Sequence, residues 1–238
     1  MEAIDIAVEY KNEIEKIIND MTLVLYGSTV YGVNTSDLDL CFVRNSELDE
    51  SKLKELIEFT KDFHLKYNLR IDEEVPYESK LIYTNSFIEN CFCKLPFPYI
   101  NGKYEIPAIE KTKEFLKSEE MKKRLLLNIL TVKRLVLSGD EKIINSYSKK
   151  AWEKMLKVVI SYSEKIGFTF DDIMSSLYAD PFQKNDGEMY LGYKTNLEEK
   201  KIYLANEVEE QLDNLVHEEK LVRTLKRGYI ADKRWLNS

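Results

Sequence analysis

Histidine is the scarcest chemistry-bearing residue here, with only His64 and His217 in 238 residues. That scarcity speaks against a histidine-built metal centre and against a Cys-His nucleophilic pair. His64 falls at the end of a helical stretch, where a surface position is expected. Cysteine is scarce too: Cys41, Cys91 and Cys93 are odd in number and lack zinc spacing, so reduced, mostly buried thiols are expected. No G-x-G-x-x-G occurs. Gly27 and Gly32 stand at Walker-like separation, but Val33-Asn34 occupy the place of the required Lys-Ser/Thr pair. No apolar run approaches transmembrane length, and Met1-Glu2-Ala3-Ile4-Asp5 has neither the basic start nor the apolar run of a signal peptide. A cytoplasmic chain with no membrane partner is therefore expected. Lys and Arg (35) are outnumbered by Asp and Glu (42), a formal charge of −7, which disfavours nonspecific binding along a nucleic-acid backbone. Internal repeats and low-complexity segments are absent.

What is present is an ordinary globular composition, 44% hydrophobic and 32% charged, long enough for one large domain or two small ones. The most informative stretch runs from Leu23 to Val43. Leu23-Val24-Leu25-Tyr26 and Leu38-Asp39-Leu40-Cys41-Phe42-Val43 are apolar runs bounded by Gly, Ser and Asn, the pattern of neighbouring strands. Alternation puts Asp37, Asp39 and Cys41 on one face and Leu38, Leu40 and Phe42 on the other. Two adjacent carboxylates repel, and a divalent cation is the simplest compensation. Oxygen-only ligands point to Mg²⁺ or Mn²⁺ rather than zinc. Gly27-Ser28, directly after the first run, permits close backbone approach and leaves N–H groups free for phosphate. A lone Asp-x-Asp is commonly a solvated strand end and a lone Gly-Ser a turn. Found together between two strands, they favour a metal-bound nucleoside triphosphate.

Tyr26-Gly27-Ser28 followed by Asp37-Leu38-Asp39-Leu40 resembles the signature of nucleotidyltransferases of the DNA polymerase β superfamily. The resemblance covers this hairpin-sized piece, with a weaker extension to about residue 84. The spacer Thr29–Ser36 is shorter than the family commonly shows, which leaves the length of the helix after Gly-Ser open. The resemblance implies a third carboxylate on a strand beside the Asp-x-Asp strand. In Leu69-Arg70-Ile71-Asp72-Glu73-Glu74-Val75, Asp72 fits that slot best and Glu74 nearly as well, while Glu73 has the wrong parity. Taken alone, this acid-rich segment fits a wet strand edge equally well.

An amphipathic helix is expected over residues 3–20, with Ile4, Val8, Ile14, Ile17 and Ile18 inward, and a second over 50–67, with Leu53, Leu56, Ile57 and Phe63 inward and Thr60 a polar interruption. Lys80–Thr84 reads as a strand from which Lys80 could reach a phosphate oxygen, with a short helix over 86–93 behind it. Pro96-Phe97-Pro98 breaks the periodicity. Residues 1–98 are thus expected to form the catalytic domain and 99–238 a helical one, giving an α+β chain: a small mixed sheet flanked by helices, then a helical bundle. Its helices are expected over 118–137, stopped by Gly139, over 145–165, from the Thr169–Asp172 capping box to before Pro181, and from Asn196 towards Leu225. The tail from Arg223 to Arg234 forms a modest basic patch with Lys226, Arg227 and Lys233.

The resemblance implies Mg²⁺-dependent transfer of a nucleoside monophosphate from a triphosphate, ATP foremost, to a hydroxyl. Asp37, Asp39 and Asp72 (or Glu74) would hold the metal, Gly27, Ser28 and Lys80 the phosphates, with Lys133 and Arg134 as further phosphate partners. In size and layout the chain is similar to enzymes that adenylylate small hydroxylated molecules such as aminoglycosides. Transfer to tRNA or protein, a non-catalytic nucleotide-binding or antitoxin-like module, and a metal-dependent glycosyltransferase are the alternatives.

Overall fold

Why Met21–Tyr26 and Asp39–Arg44 become strands β1 and β2 is visible in their burial: every second residue, Leu23, Leu25, Leu40 and Phe42, enters one apolar core. A computed structural model describes residues 2–33, 37–44, 46–70, 81–83, 99–100, 103–104, 126, 129–162, 167–178, 197–225 and 228–238. It divides into two compact units, residues 1–93 with 111–147, and 94–110 with 148–238. The first unit is assembled from two pieces of chain.

In the first unit, helix α1 (Ala3–Ile14) and helix α2 (Glu50–Lys66) supply Ile6, Ala7, Tyr10, Ile14, Leu56 and Phe63 to the core beneath β1 and β2. Asp49 caps α2, accepting from the Lys52 N–H at 2.8 Å. Two expectations are corrected here. Val8 is 45% exposed, because Tyr10 rather than Val8 completes the inner stripe of α1. His64 is buried at 2% exposure, since the inner face of α2 continues past Phe63 to its last turn. Thr60 is also buried. Its hydroxyl donates to the Leu56 carbonyl at 2.7 Å and shares a 2.7 Å hydrogen bond with the Tyr10 hydroxyl. Tyr10 meets Phe63 edge to face at 5.1 Å between ring centroids. Replacing Tyr10 by Phe is expected to cost about 1 kcal/mol, a Tm lower by about 2–4 °C. Thr60→Val in that background should add less than it does alone, and full additivity would show that the two hydroxyls do not interact.

Strand β3 (Leu81–Tyr83) runs parallel to β2, pairing Phe42 with Leu81. Tyr99–Ile100 (β4) and Lys103–Tyr104 (β5), in the second unit, form a separate antiparallel pair. Strand β6 (Leu135–Ser138) returns to the first sheet, antiparallel to β1, so the order is β3-β2-β1-β6. A helix through Leu137 had been expected there; instead the chain is helical at 129–131 and extended at 135–138. Short apolar runs such as Leu135-Val136-Leu137 carry no period by which helix and strand can be told apart. Gly139 follows with φ +92°, and a Cβ there would fall 2.6 Å from the Thr22 Cα and 2.9 Å from the Met21 carbonyl. It is a point of close approach to β1 and not a helix stop. Asp140 then caps helix α3 (Glu141–Tyr162), its Oδ1 accepting from Lys142 and Ile143 N–H at 2.9 and 3.2 Å.

Several charges among the described residues of this unit are paired. Buried Arg44 grips Asp20 with both Nη atoms, at 2.5 and 2.8 Å, and donates from Nε to the Ser46 carbonyl at 3.1 Å. The Tyr67 hydroxyl and then Lys66 hold the Glu9 carboxyl below its ordinary range.

The second unit holds most of α3, helices α4 (Phe170–Tyr178), α5 (Glu198–His217) and α6 (Lys233–Asn237), and an antiparallel sheet of order β7-β9-β8 from Gly167–Thr169, Leu221–Arg223 (β8) and Gly228–Ala231 (β9). The expected capping box is present, with the Thr169 N–H on Asp172 Oδ2 at 2.8 Å and the Asp172 N–H on Thr169 Oγ1 at 3.1 Å. The bundle of helices alone is not what the described residues form, because the last long helix ends at His217 and the chain after it makes a hairpin. Glu219, with φ +59°, turns the chain there. Asn196, expected to cap α5, lies outside the described residues.

Candidate active site

The end of β1 and the start of β2 are brought together by their antiparallel register, which sets Tyr26 opposite Asp39. Gly27 follows with φ +76° and ψ −160°, a conformation reserved for glycine. A Cβ on Gly27 would overlap the Asp39 carboxylate, falling 2.7 Å from Cγ and 3.0 Å from Cβ. The missing side chain is therefore the space that the carboxylate fills. Ser28–Tyr31 make one turn of 3-10 helix, closed where the Gly32 N–H donates to the Thr29 carbonyl at 3.1 Å. The helix length left open by the short spacer is thus a single turn.

Asp37 and Asp39 are both half-buried. Further along the same face Cys41 is fully buried, so this face admits water only where β2 begins. Arg70 Nη2 donates to Asp37 Oδ2 at 3.3 Å, from a guanidinium that is 69% exposed. Arg70 drew no role from the sequence, because 33 positions separate it from Asp37. A cation at Asp37 is what an acid pair at the rim of an apolar face demands. Asp72, Glu74 and Lys80 lie outside the described residues. Among those described, no cluster of three or more His, Cys, Asp or Glu side chains could hold a metal. The two carboxylates fit a hard divalent ion on other grounds: their donors are oxygen only, they share a face, and the backbone at Gly27 makes room for one of them.

The two basic candidates separate. Lys133 Nζ lies over the Tyr31 ring, 5.2 Å from its centroid, beside the 3-10 turn. Arg134 donates from Nη1 to the Leu130 and Val132 carbonyls at 3.2 and 3.3 Å, and from Nη2 to Asn145 Oδ1 at 3.1 Å. Its donors pin the entry to β6 onto α3, which gives it a structural role in place of the expected phosphate contact. Both residues stand in the extended link before β6 and not on a helix.

Residues 4–95 match the family model of the nucleotidyltransferase domain, spanning α1, β1, the Gly27 turn, β2, α2 and β3. No curated protein and no solved structure matches the chain. The Gly-Ser turn and the Asp-x-Asp strand stand side by side within that match, and over residues 4–95 the chain is similar to the nucleotidyltransferase domain.

Proposed function

We propose that the chain transfers a nucleoside monophosphate from a triphosphate, ATP foremost, to a hydroxyl group of a small acceptor. The acceptor oxygen forms a bond to the α-phosphorus, the bond to the leaving pyrophosphate breaks, and the hydroxyl proton is released. The observation that carries this reading is the contact between the Asp39 carboxylate and the backbone of Gly27, which sets an acid against the turn a phosphate would occupy. Asp37 and Asp39 would hold Mg²⁺ or Mn²⁺, with Asp72 or Glu74 as third ligand near the acceptor. Bound there, the metal supplies charge neutralisation for the triphosphate and the departing pyrophosphate. The Gly27-Ser28 backbone and Lys80 would hold the phosphates. Transfer of this kind depends on positioning and electrostatics more than on covalent chemistry.

A polycationic acceptor such as an aminoglycoside suits a chain of charge −7. For tRNA or protein as acceptor the support is the basic tail, and that support is thin. Arg223 pairs with Asp213, and Arg234 with Asp232 at 3.1 Å, so two of its cations are already neutralised.

Thermal unfolding in Mg²⁺ with each of ATP, GTP, CTP and UTP tests the reading. At about a hundred times Kd a ligand adds about 2.7 kcal/mol, which for a chain of this size means a rise of several degrees. A metal-dependent rise with one triphosphate supports nucleotidyl transfer and identifies the donor. No shift with any of the four overturns it.

A further inference from the structure

One turn of α3 separates Glu153 from Lys157, a spacing at which the two would ordinarily pair. Glu153 is engaged elsewhere. Its Oε1 accepts from Lys220 Nζ at 2.7 Å and from Trp235 Nε1 of α6 at 3.0 Å. Lys220 also reaches Glu218 Oε2 at 2.7 Å, and Glu218 Oε1 holds Lys149 at 2.7 Å. Three ammoniums thus meet two carboxylates, and Lys157 is the one left over. Its Nζ donates to the Ser238 hydroxyl at 3.2 Å, which in turn donates to the Trp235 carbonyl at 2.8 Å. Among the described residues Lys157 makes no ion pair.

A half-buried ammonium beside a second one, with a hydroxyl as its acceptor, is poorly compensated, and both effects favour the neutral amine. Burial lowers Lys157 below the ordinary lysine range; Glu153 opposes that, and the Lys220 charge adds to it. Burial acts on Lys220 as well, but its bonds to Glu153 and Glu218 outweigh it and raise that ammonium above the range. Desolvation next to another cation is how a lysine becomes a nucleophile near neutral pH. We propose that Lys157 is an acylation site that takes its acyl group from a small acyl phosphate. The amine nitrogen forms a bond to the carbonyl carbon, the bond from that carbon to the phosphate oxygen breaks, and the departing phosphate takes the amine proton. The product suits the cluster. Its amide keeps an N–H for Ser238, and the lost charge leaves two ammoniums on two carboxylates.

Timed treatment of the full chain with acetyl phosphate, read by peptide mass spectrometry, tests it. Near neutral pH, Lys157 is expected to acetylate faster than Lys149 and Lys220 by about threefold or more. The preference should vanish in the urea-unfolded chain, where the cluster no longer exists. Lys220→Met removes the neighbouring charge and releases Glu153 to pair with Lys157, so acetylation there should slow severalfold. A Lys157 rate no higher than those of Lys149 and Lys220 in the folded wild type overturns the site. A preference that persists after unfolding overturns it too, because local sequence and not the cluster would then set the rate. So does a Lys157 rate unmoved in a folded Lys220→Met variant.

Discussion

Asp39→Asn is expected to reduce nucleotidyl transfer by about a thousandfold or more while leaving the fold in place. The substitution keeps shape and removes charge, so whatever packing Asp39 makes against Gly27 survives it. Stability should change little in the absence of metal. Removing one charge also relieves the repulsion between Asp37 and Asp39 on their shared half-buried face. The two readouts therefore move apart: turnover collapses, and the metal-free Tm stays level or increases. Added Mg²⁺ should raise the Tm of the wild type and not that of the variant. Asp37→Asn offers the comparison, since it also releases Arg70. That pair involves a mostly exposed guanidinium, so its loss should cost no more than about 1 kcal/mol. Turnover retained in Asp39→Asn would remove Asp39 from the reaction.

The hairpin of β1 and β2 was legible in the sequence because a single alternation of apolar and polar positions opens its second strand. Leu38, Leu40 and Phe42 alternate with Asp37, Asp39 and Cys41, and the structure buries the first set beneath α1 and α2. Even there the alternation was half the story, since Cys41 and Val43 are buried as well, and only the position at the strand start keeps the acids near water. The first two helices, β3 and the Thr169–Asp172 box were readable for similar local reasons. Where the reading failed, the deciding force was not local. Leu135–Ser138 is a strand because β1 offers it an edge, a fact that no window around residue 135 contains. The glycine after it was read as a helix stop when its role is contact with Thr22. Leu221–Arg223 was absorbed into the preceding helix because its apolar residues continue the helical stripe, whereas Gly228–Ala231 pairs with it across a turn. Within the site, the Lys133–Tyr31 and Arg70–Asp37 contacts join residues 102 and 33 positions apart in number, and charge pairs at such range leave no spacing signal.

Gly27→Ala should be the most damaging single methyl in the site, and its damage should fall on stability and transfer together. Two penalties act at once. At φ +76° and ψ −160° an alanine is strained by about 1–3 kcal/mol. Its Cβ would also lie 2.7 Å from the Asp39 Cγ, so the carboxylate must rotate out of its place. A Tm lower by about 5 °C or more is expected from the strain and the overlap combined. Transfer should fall to the level of Asp39→Asn, because the displaced acid no longer faces the turn. The double variant Gly27→Ala with Asp39→Ala separates the two penalties. Removing the carboxylate relieves the overlap but not the backbone strain, so the pair should be less destabilised than the sum of its single changes, by about 1 kcal/mol or more. Simple additivity in that cycle would mean that Gly27 is kept for its backbone conformation alone, and that the carboxylate does not depend on the space beside it.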